Sequence, residues 1–376
     1  MNFQFELMVI GGGHAGCEAA LAAARLGVST GILTLNRHAI GRMSCNPSIG
    51  GIAKSHLVFE IDALGGEIGR NSDYTGIQFR TLNTKKGAAV QANRAQCDKA
   101  AFENRLQAIV ATTPSLTLIE GAAAAFVVKN DALSAILLED GREFGVKAVV
   151  LSAGTFLNGQ IFIGKKSISG GRLGETASRR LPEWLRQFGF SMERLKTGTP
   201  PRLHKDSVHY HKTVIQPGEE PPPFFSYRAR KEWGQFHVEQ PSHLFHVEQQ
   251  GVDPVRPWPL GSNQLPCYLT HTTRETHELI RDHLEESALY GGLITGTGVR
   301  YCPSIEDKVV KFPDRDAHHV FIEPEGRFSE EVYPNGTSNS LPEAVQEKMI
   351  RSIPGLEEAR FLQYGYAIEY DYLDPT

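Results

Sequence analysis

The run Leu7-Met8-Val9-Ile10-Gly11-Gly12-Gly13-His14-Ala15-Gly16-Cys17-Glu18-Ala19-Ala20 decides how this chain folds. Four apolar residues predict a strand over 7–10, the alanine-rich stretch predicts a helix over 19–26, and a second strand is expected over 30–35. The glycines between strand and helix follow the spacing Gly11-x-Gly13-x-x-Gly16. The first permits a tight turn and the second lets backbone approach a pyrophosphate. The third lets helix pack on strand, with the phosphates at the helix N-terminus. A dinucleotide-binding unit is expected. The acidic residue that commonly ends the second strand and holds a ribose hydroxyl is missing; Asn36 stands there, so this unit alone leaves FAD and NAD open.

The next stretch, Met43-Ser44-Cys45-Asn46-Pro47-Ser48-Ile49-Gly50-Gly51, puts a cysteine on a glycine-rich loop directly after that unit. A thiolate held beside a redox cofactor is a reaction centre in outline. A second glycine-rich stretch, Thr295-Gly296-Thr297-Gly298-Val299-Arg300-Tyr301-Cys302-Pro303-Ser304-Ile305-Glu306-Asp307-Lys308, carries another cysteine, with Arg300 and Lys308 near enough to favour a thiolate. Cys45 and Cys302 are therefore the candidate catalytic residues.

At 376 residues, with 40% hydrophobic content and 37 glycines, the chain fits an α/β protein of two or three domains. No run approaches the roughly 18 apolar residues of a membrane span, and the chain enters a strand without a signal peptide. A cytoplasmic location and no membrane partner are expected. The five cysteines, Cys17, Cys45, Cys97, Cys267 and Cys302, are odd in number and contain no C-x-x-C pair, which argues against a disulfide framework and a structural zinc. The net charge of -4 gives no hint of nucleic acid, but residues 160–212 hold eleven basic residues against four acidic ones. Either that segment holds phosphates of a cofactor or RNA, or acids elsewhere balance it. Charge alone favours the second reading.

Beyond the Cys45 loop a helix is expected with Leu57, Ile61 and Leu64 on one stripe, ending at Gly65-Gly66, and another helix over 94–110. Strands follow over 116–119, 124–129, 135–138 and 148–151. The middle ones read as an excursion from the first sheet, and the turn Ser152-Ala153-Gly154-Thr155 brings the chain back to the cofactor. Across 213–264 the pattern breaks down: prolines cluster, and Phe-His-Val-Glu-Gln occurs twice, at 236–240 and 245–249. An exposed insertion is expected there. Its histidines His237, His243 and His246 lack metal-ligand spacing, as do His204, His209 and His211, and surface loops are expected for both groups. Helical periodicity returns over 275–289.

These stretches resemble the tRNA uridine 5-carboxymethylaminomethyl modification flavoenzymes, the MnmG or GidA family. The matching strings include the glycine turn and the Cys45 loop, Asp62-Ala63-Leu64-Gly65-Gly66, Gly76-Ile77-Gln78-Phe79-Arg80 and Gly154-Thr155-Phe156-Leu157-Asn158-Gly159. Further along they include Leu195-Lys196-Thr197-Gly198-Thr199-Pro200-Pro201-Arg202, the Cys302 stretch, Tyr333-Pro334-Asn335-Gly336 and Gly365-Tyr366-Ala367-Ile368-Glu369-Tyr370-Asp371. They cover nearly the whole chain outside 213–264.

The resemblance implies an α/β, glutathione-reductase-like two-dinucleotide-binding fold with a Rossmann FAD domain and an inserted NAD-binding region. The expected division is 1–200 for the first part of the FAD domain, with a β-rich excursion over about 115–145; 201–300 for the NAD(H)-associated region; and 301–376 for the return. It implies a homodimer working with a partner GTPase, MnmE, in a heterotetramer. The pair modifies carbon five of the wobble uridine of tRNA, with methylene-tetrahydrofolate as one-carbon donor and NADH as reductant. By the family's pattern Gly11, Gly12, Gly13, His14, Ala15 and Gly16 hold FAD, with further contacts at Ala123 and Ser178. The NAD site falls on Gly298, Val299, Arg300, Tyr301, Pro303, Ser304, Ile305, Glu306, Asp307, Lys308, Val309, Val310, Lys311 and Phe312, and the two catalytic thiols fall on Cys45 and Cys302.

Three departures stand out. Gln91 replaces an arginine ahead of Asn93-Arg94-Ala95-Gln96, and the loop before Leu265-Pro266-Cys267 is long. Family members continue beyond Asp374-Pro375-Thr376 into a last FAD-binding segment and a helical tRNA-binding domain, so a fragment is expected. Two rival readings are a folate- and FAD-dependent tRNA uridine methyltransferase and a non-catalytic flavin- or RNA-binding module. The Ser44-Cys45-Asn46-Pro47 and Tyr301-Cys302-Pro303-Ser304 strings favour the modification enzyme over the methyltransferase.

Overall fold

Apolar residues on both faces of the strand Phe5–Ile10 suit it to the middle of a covered parallel sheet, and that is its place in the computed structural model, which describes residues 4–239, 255–299 and 303–374. The sheet runs, in spatial order, Leu116–Glu120, Thr30–Thr34, Phe5–Ile10, Glu143–Leu151, Ala132–Leu138 and Ala123–Lys129. Its first four strands are parallel. The strand Glu143–Leu151 changes partners along its length: residues 143–145 pair antiparallel with Ala132–Leu138, and residues 146–151 pair parallel with Phe5–Ile10. The expected excursion is thus a hairpin grown out of the dinucleotide sheet. The α/β dinucleotide-binding class read from the sequence is the fold observed.

The helix His14–Arg25 packs Gly16, Cys17, Ala20, Leu21 and Ala24 against this sheet. It closes with Gly27 N donating to Ala24 O and Val28 N to Ala23 O, the paired bonds of a Schellman end. The same pattern ends Ser55–Ala63, where Gly65 N and Gly66 N donate to Asp62 O and Ile61 O. Here the expected stripe is corrected. Leu57 and Leu64 are 58% and 86% exposed, and the helix buries Ser55 and Val58 instead.

The helix expected over 94–110 is also corrected. Residues Ala92–Cys97 form a strand between Ser48–Gly50 and Gly76–Leu82, and the helix is Lys99–Thr112, capped by Asp98, whose carboxylate accepts from Ala101 N. Arg94 on that strand is held by Glu323 from the far end of the chain, at 2.7 Å. Nothing local announces such a partner.

A five-stranded sheet runs Lys166–Ser169, Gln160–Ile163, Tyr366–Leu373, Met192–Thr199 and Thr297–Gly298. A further six-stranded sheet runs Val214–Gln216, Cys267–His271, His319–Pro324, Glu331–Asn335, Arg202–His204 and Phe361–Gln363, and so joins strands from the 201–299 and 303–374 stretches. The expected exposed insertion is corrected in part. Phe224, Phe225 and Ala229 lie in the same core as Val9, Leu21 and Phe102, and Tyr227–Glu239 is helical. Burying each phenylalanine contributes about 2–3 kcal/mol, which ties this segment to the dinucleotide unit. The second copy of the duplicated pentapeptide, with His243 and His246, lies outside the described residues. The helix expected over 275–289 is shorter: a capping box of Thr273 and Thr276 opens Arg274–Asp282, and a single 3₁₀ turn, Leu284–Glu286, follows.

The basic segment resolves as charge balanced from elsewhere. Lys166 pairs with Glu343, Arg186 and Arg194 with Asp371, Lys196 with Asp307, Arg202 with Glu325 and Lys212 with Glu357. Arg172 pairs within the segment, with Glu175. No helix among the described residues is long and apolar enough to cross a membrane, and none of their His, Cys, Asp and Glu side chains cluster as a metal site would.

Candidate active site

The C-terminal ends of the parallel strands open onto a cleft of about 760 Å³. In open α/β sheets this is where ligands bind. Its wall is the glycine turn. Gly11 adopts φ +112°, and a Cβ there would overlap the Ser152 carbonyl; a Cβ on Gly16 would overlap the Gly11 carbonyl oxygen. Both glycines are required by packing. Gly13 differs: a Cβ there would meet nothing within 4 Å, because the residue faces the open cleft at the N-terminus of His14–Arg25. Gly13 is therefore not needed to build the turn, and the space beside it is left for a ligand.

Gly11, Gly12, Gly13, His14, Ala123 and Ser178 all line the cleft, together with Cys45, so seven of the sequence-derived candidates meet at one place. Gly16 is buried beneath, and Ala15 is exposed on the helix. The Ser178 hydroxyl is buried without a hydrogen-bond partner among the described residues. Such an orphan inside a cleft fits a polar ligand. His14 Nε2 lies 3.2 Å from the Gly41 carbonyl oxygen, so Nε2 carries the proton, and burial holds the ring below its ordinary value and neutral. Asn36 also lines the cleft, but its side-chain oxygen accepts from His38 N and caps a 3₁₀ turn. Arg42 and Arg172 both clasp Glu175, at 2.8 Å each, on the cleft wall.

The Cys45 loop forms the opposite wall. Cys45 is half-buried, with Sγ 3.3 Å from the Tyr333 hydroxyl and 3.7 Å from the Gly198 carbonyl oxygen. Arg202 fixes the loop. Its guanidinium donates to the carbonyls of Cys45 (2.6 Å) and Pro200 (2.8 Å) and to the Thr199 hydroxyl, pairs with Glu325 at 2.5 Å, and lies 4.7 Å over the Tyr333 ring. Burial pushes the Tyr333 phenol well above its ordinary value, and Cys45 adds to the shift. The remaining described cysteines, Cys17, Cys97 and Cys267, are buried, and desolvation pushes each thiol up to about 12. Cys45 is thus the reactive candidate among the described thiols.

Cys302, with Arg300 and Tyr301, lies outside the described residues. Of its neighbours, Gly298 pairs with Lys196, and Val299 N donates to Lys196 O, one residue from Thr197 on the cleft wall. Ser304 caps Ile305–Lys311, in which Ile305 and Val309 are core residues and Glu306 accepts from Ser287 and Ser340. Asp307 pairs with Lys311, Lys308 donates to Gly336 O, and Pro303, Val310 and Phe312 are exposed. None of the described residues of 298–312 lines the cleft. Sequence reasoning assigned no role to Tyr333, Arg202, Glu325 or Asn335. Tyr333, Arg202 and Asn335 fell within the strings that carried the resemblance, and that was the available signal.

Fold and cleft together define a dinucleotide-binding α/β protein with a thiol facing its ligand site. Residues 6–376 match the model of the family described as glucose inhibited division protein A, and the chain belongs to that family. It is 49% identical over 375 residues to the tRNA uridine 5-carboxymethylaminomethyl modification enzyme MnmG of Aquifex aeolicus (strain VF5), covering 99% of this chain and 57% of that protein. The enzyme of the same description from Bacillus cereus (strain ATCC 14579) is 47% identical, with 99% and 55% covered. The structure of Aquifex aeolicus GidA in its form I crystal superposes with a TM-score of 0.85 at 49% identity, over 98% of this chain and 58% of that one. The chain spans a little over half the length of the curated relatives it matches.

Proposed function

We propose that this chain is the flavin-binding and thiol-bearing part of a tRNA uridine 5-carboxymethylaminomethyl modification enzyme. The observation that carries the reading is the meeting of Cys45 with the glycine turn in one cleft. FAD fits the residues present: backbone N–H groups at the start of His14–Arg25 and the open face of Gly13 suit the pyrophosphate, and the unpartnered Ser178 hydroxyl offers a polar contact. When bound, the flavin supplies the redox and one-carbon chemistry. NADH is the reductant, methylene-tetrahydrofolate the carbon donor, and 298–312 the NADH-associated segment. The working unit is a homodimer joined to the GTPase MnmE.

Carbon five of uracil is a poor nucleophile. A thiolate that forms a bond to carbon six pushes an electron pair onto carbon five; loss of the carbon-five proton after that carbon is alkylated expels the thiolate unchanged. Cys45 and Cys302 supply the thiol and a second group for proton transfer. Arg202 keeps the Cys45 loop in place through its carbonyl. In cells whose only copy of the gene carries Cys45→Ser, mass spectrometry of tRNA nucleosides should show loss of the modified wobble uridine. Normal levels would refute a reacting thiol at Cys45.

A further inference from the structure

Two groups contact the Cys45 sulfur, and only one of them can donate a hydrogen bond. The Gly198 carbonyl accepts, and the Tyr333 hydroxyl can give a hydrogen bond to Sγ, while the Arg202 guanidinium donates to carbonyls and a hydroxyl and pairs with Glu325. While the sulfur is a thiol either atom can donate. Once it is a thiolate the phenol must, because S⁻ only accepts. We infer that Tyr333 belongs to the reacting centre, as the hydrogen-bond donor that stabilises the Cys45 thiolate while keeping its own proton.

The surroundings fit that task. Tyr333 is 4% exposed, and its phenol faces the cleft from the strand Glu331–Asn335. Burial makes ionisation of the phenol costly, so it stays a donor and does not compete as a base. The Arg202 cation over its ring draws electron density from the oxygen and strengthens the O–H as a donor. Arg202 also holds the Cys45 carbonyl, so one buried side chain sets both partners at bonding distance. That cation is itself locked by Glu325, which Lys99 also contacts at 2.8 Å. The proton lost by Cys45 goes to solvent through the open cleft, and a charge-assisted O–H···S⁻ bond remains.

The inference rests on the reading of Cys45 as a reacting thiol, but its test needs neither RNA nor activity. Full-length protein is treated with iodoacetamide across a pH series, and alkylation of the Cys45 peptide is followed by mass spectrometry. In Tyr333→Phe, which keeps the ring, alkylation at pH 7 should slow about tenfold, the profile should move to higher pH, and the two proteins should converge at alkaline pH. In protein carrying 3,5-difluorotyrosine at position 333, a stronger donor of nearly the same shape, the profile should move the other way. That replacement also serves if the phenylalanine variant does not fold. Identical Cys45 profiles in wild type and either replacement would overturn the inference. Normal tRNA modification by Cys45→Ser would overturn the reading of the site and leave this hydrogen bond standing.

Discussion

The three glycines of the first turn are alike in sequence and unlike in the fold, and substitution should separate them. A Cβ on Gly16 collides with backbone that cannot move away, so Gly16→Ala should lower stability on the order of 3 kcal/mol and reduce soluble yield. A Cβ on Gly13 meets only open cleft, so Gly13→Ala should melt like the wild type yet lose bound flavin, read as absorbance near 450 nm per protein. Stoichiometric flavin in Gly13→Ala would place the pyrophosphate elsewhere. The packing role of Gly16 was legible in the sequence because the carbonyl it would strike, that of Gly11, belongs to the same turn, whereas Gly11 itself is confined by the distant Ser152. The contact between Cys45 and Tyr333 was not, since 288 residues separate the partners and only the tertiary fold brings them together. Asn36 was read as the odd residue at the ribose position, and there its side chain caps the following turn.

At the scale of elements, the anchor of Tyr227–Glu239 is a buried carboxylate. Asp73 is fully buried and accepts from Phe225 N and Ser226 N, and burial raises it from its ordinary 3.8 to about 7 despite those two donors. A folded-state value above the unfolded one means that the native protein holds the proton more tightly. The stability this contributes is full below about pH 4 and is lost as pH rises through 7. Wild-type stability should therefore fall, relative to Asp73→Asn, by on the order of 3 kcal/mol between pH 4 and 8, measured by denaturant unfolding. Parallel pH curves for the two proteins would show that Asp73 does not titrate in that window. The anchor also explains why 213–264 looked like an exposed insertion: Phe224 and Phe225 sit among prolines with no periodicity, and their burial is set by Asp73 and the distant core. Helix and strand were confused over 94–97 for a related reason. That stretch carries helix-compatible residues, but its ladder partners, Ser48–Gly50 and Gly76–Leu82, override local preference.

For the whole molecule, the pairing of the 160–212 basics with distant acids limits what that surface can do for RNA. Arg179 and Arg180 are exposed and carry no ion pair among the described residues, whereas Arg194 is tied to Glu369 and Asp371. Removing Arg179 and Arg180 together should lower the salt dependence of single-stranded RNA binding by about 1.4 in log–log slope; Arg194→Ala should leave the slope alone and lower the melting temperature. A slope unchanged by the double variant would place the RNA contacts on another face. The sheet that contains Arg194 has a further consequence. Tyr366–Leu373 lies between Gln160–Ile163 and Met192–Thr199, so the strand of this sheet that comes latest in sequence sits in the middle. On the ribosome, two strands must wait with open edges for well over a hundred residues of synthesis, and a nascent chain stalled before Tyr366 presents both to any neighbouring strand. Emergence of Tyr366–Leu373 closes that sheet, and chaperone demand should peak just before it.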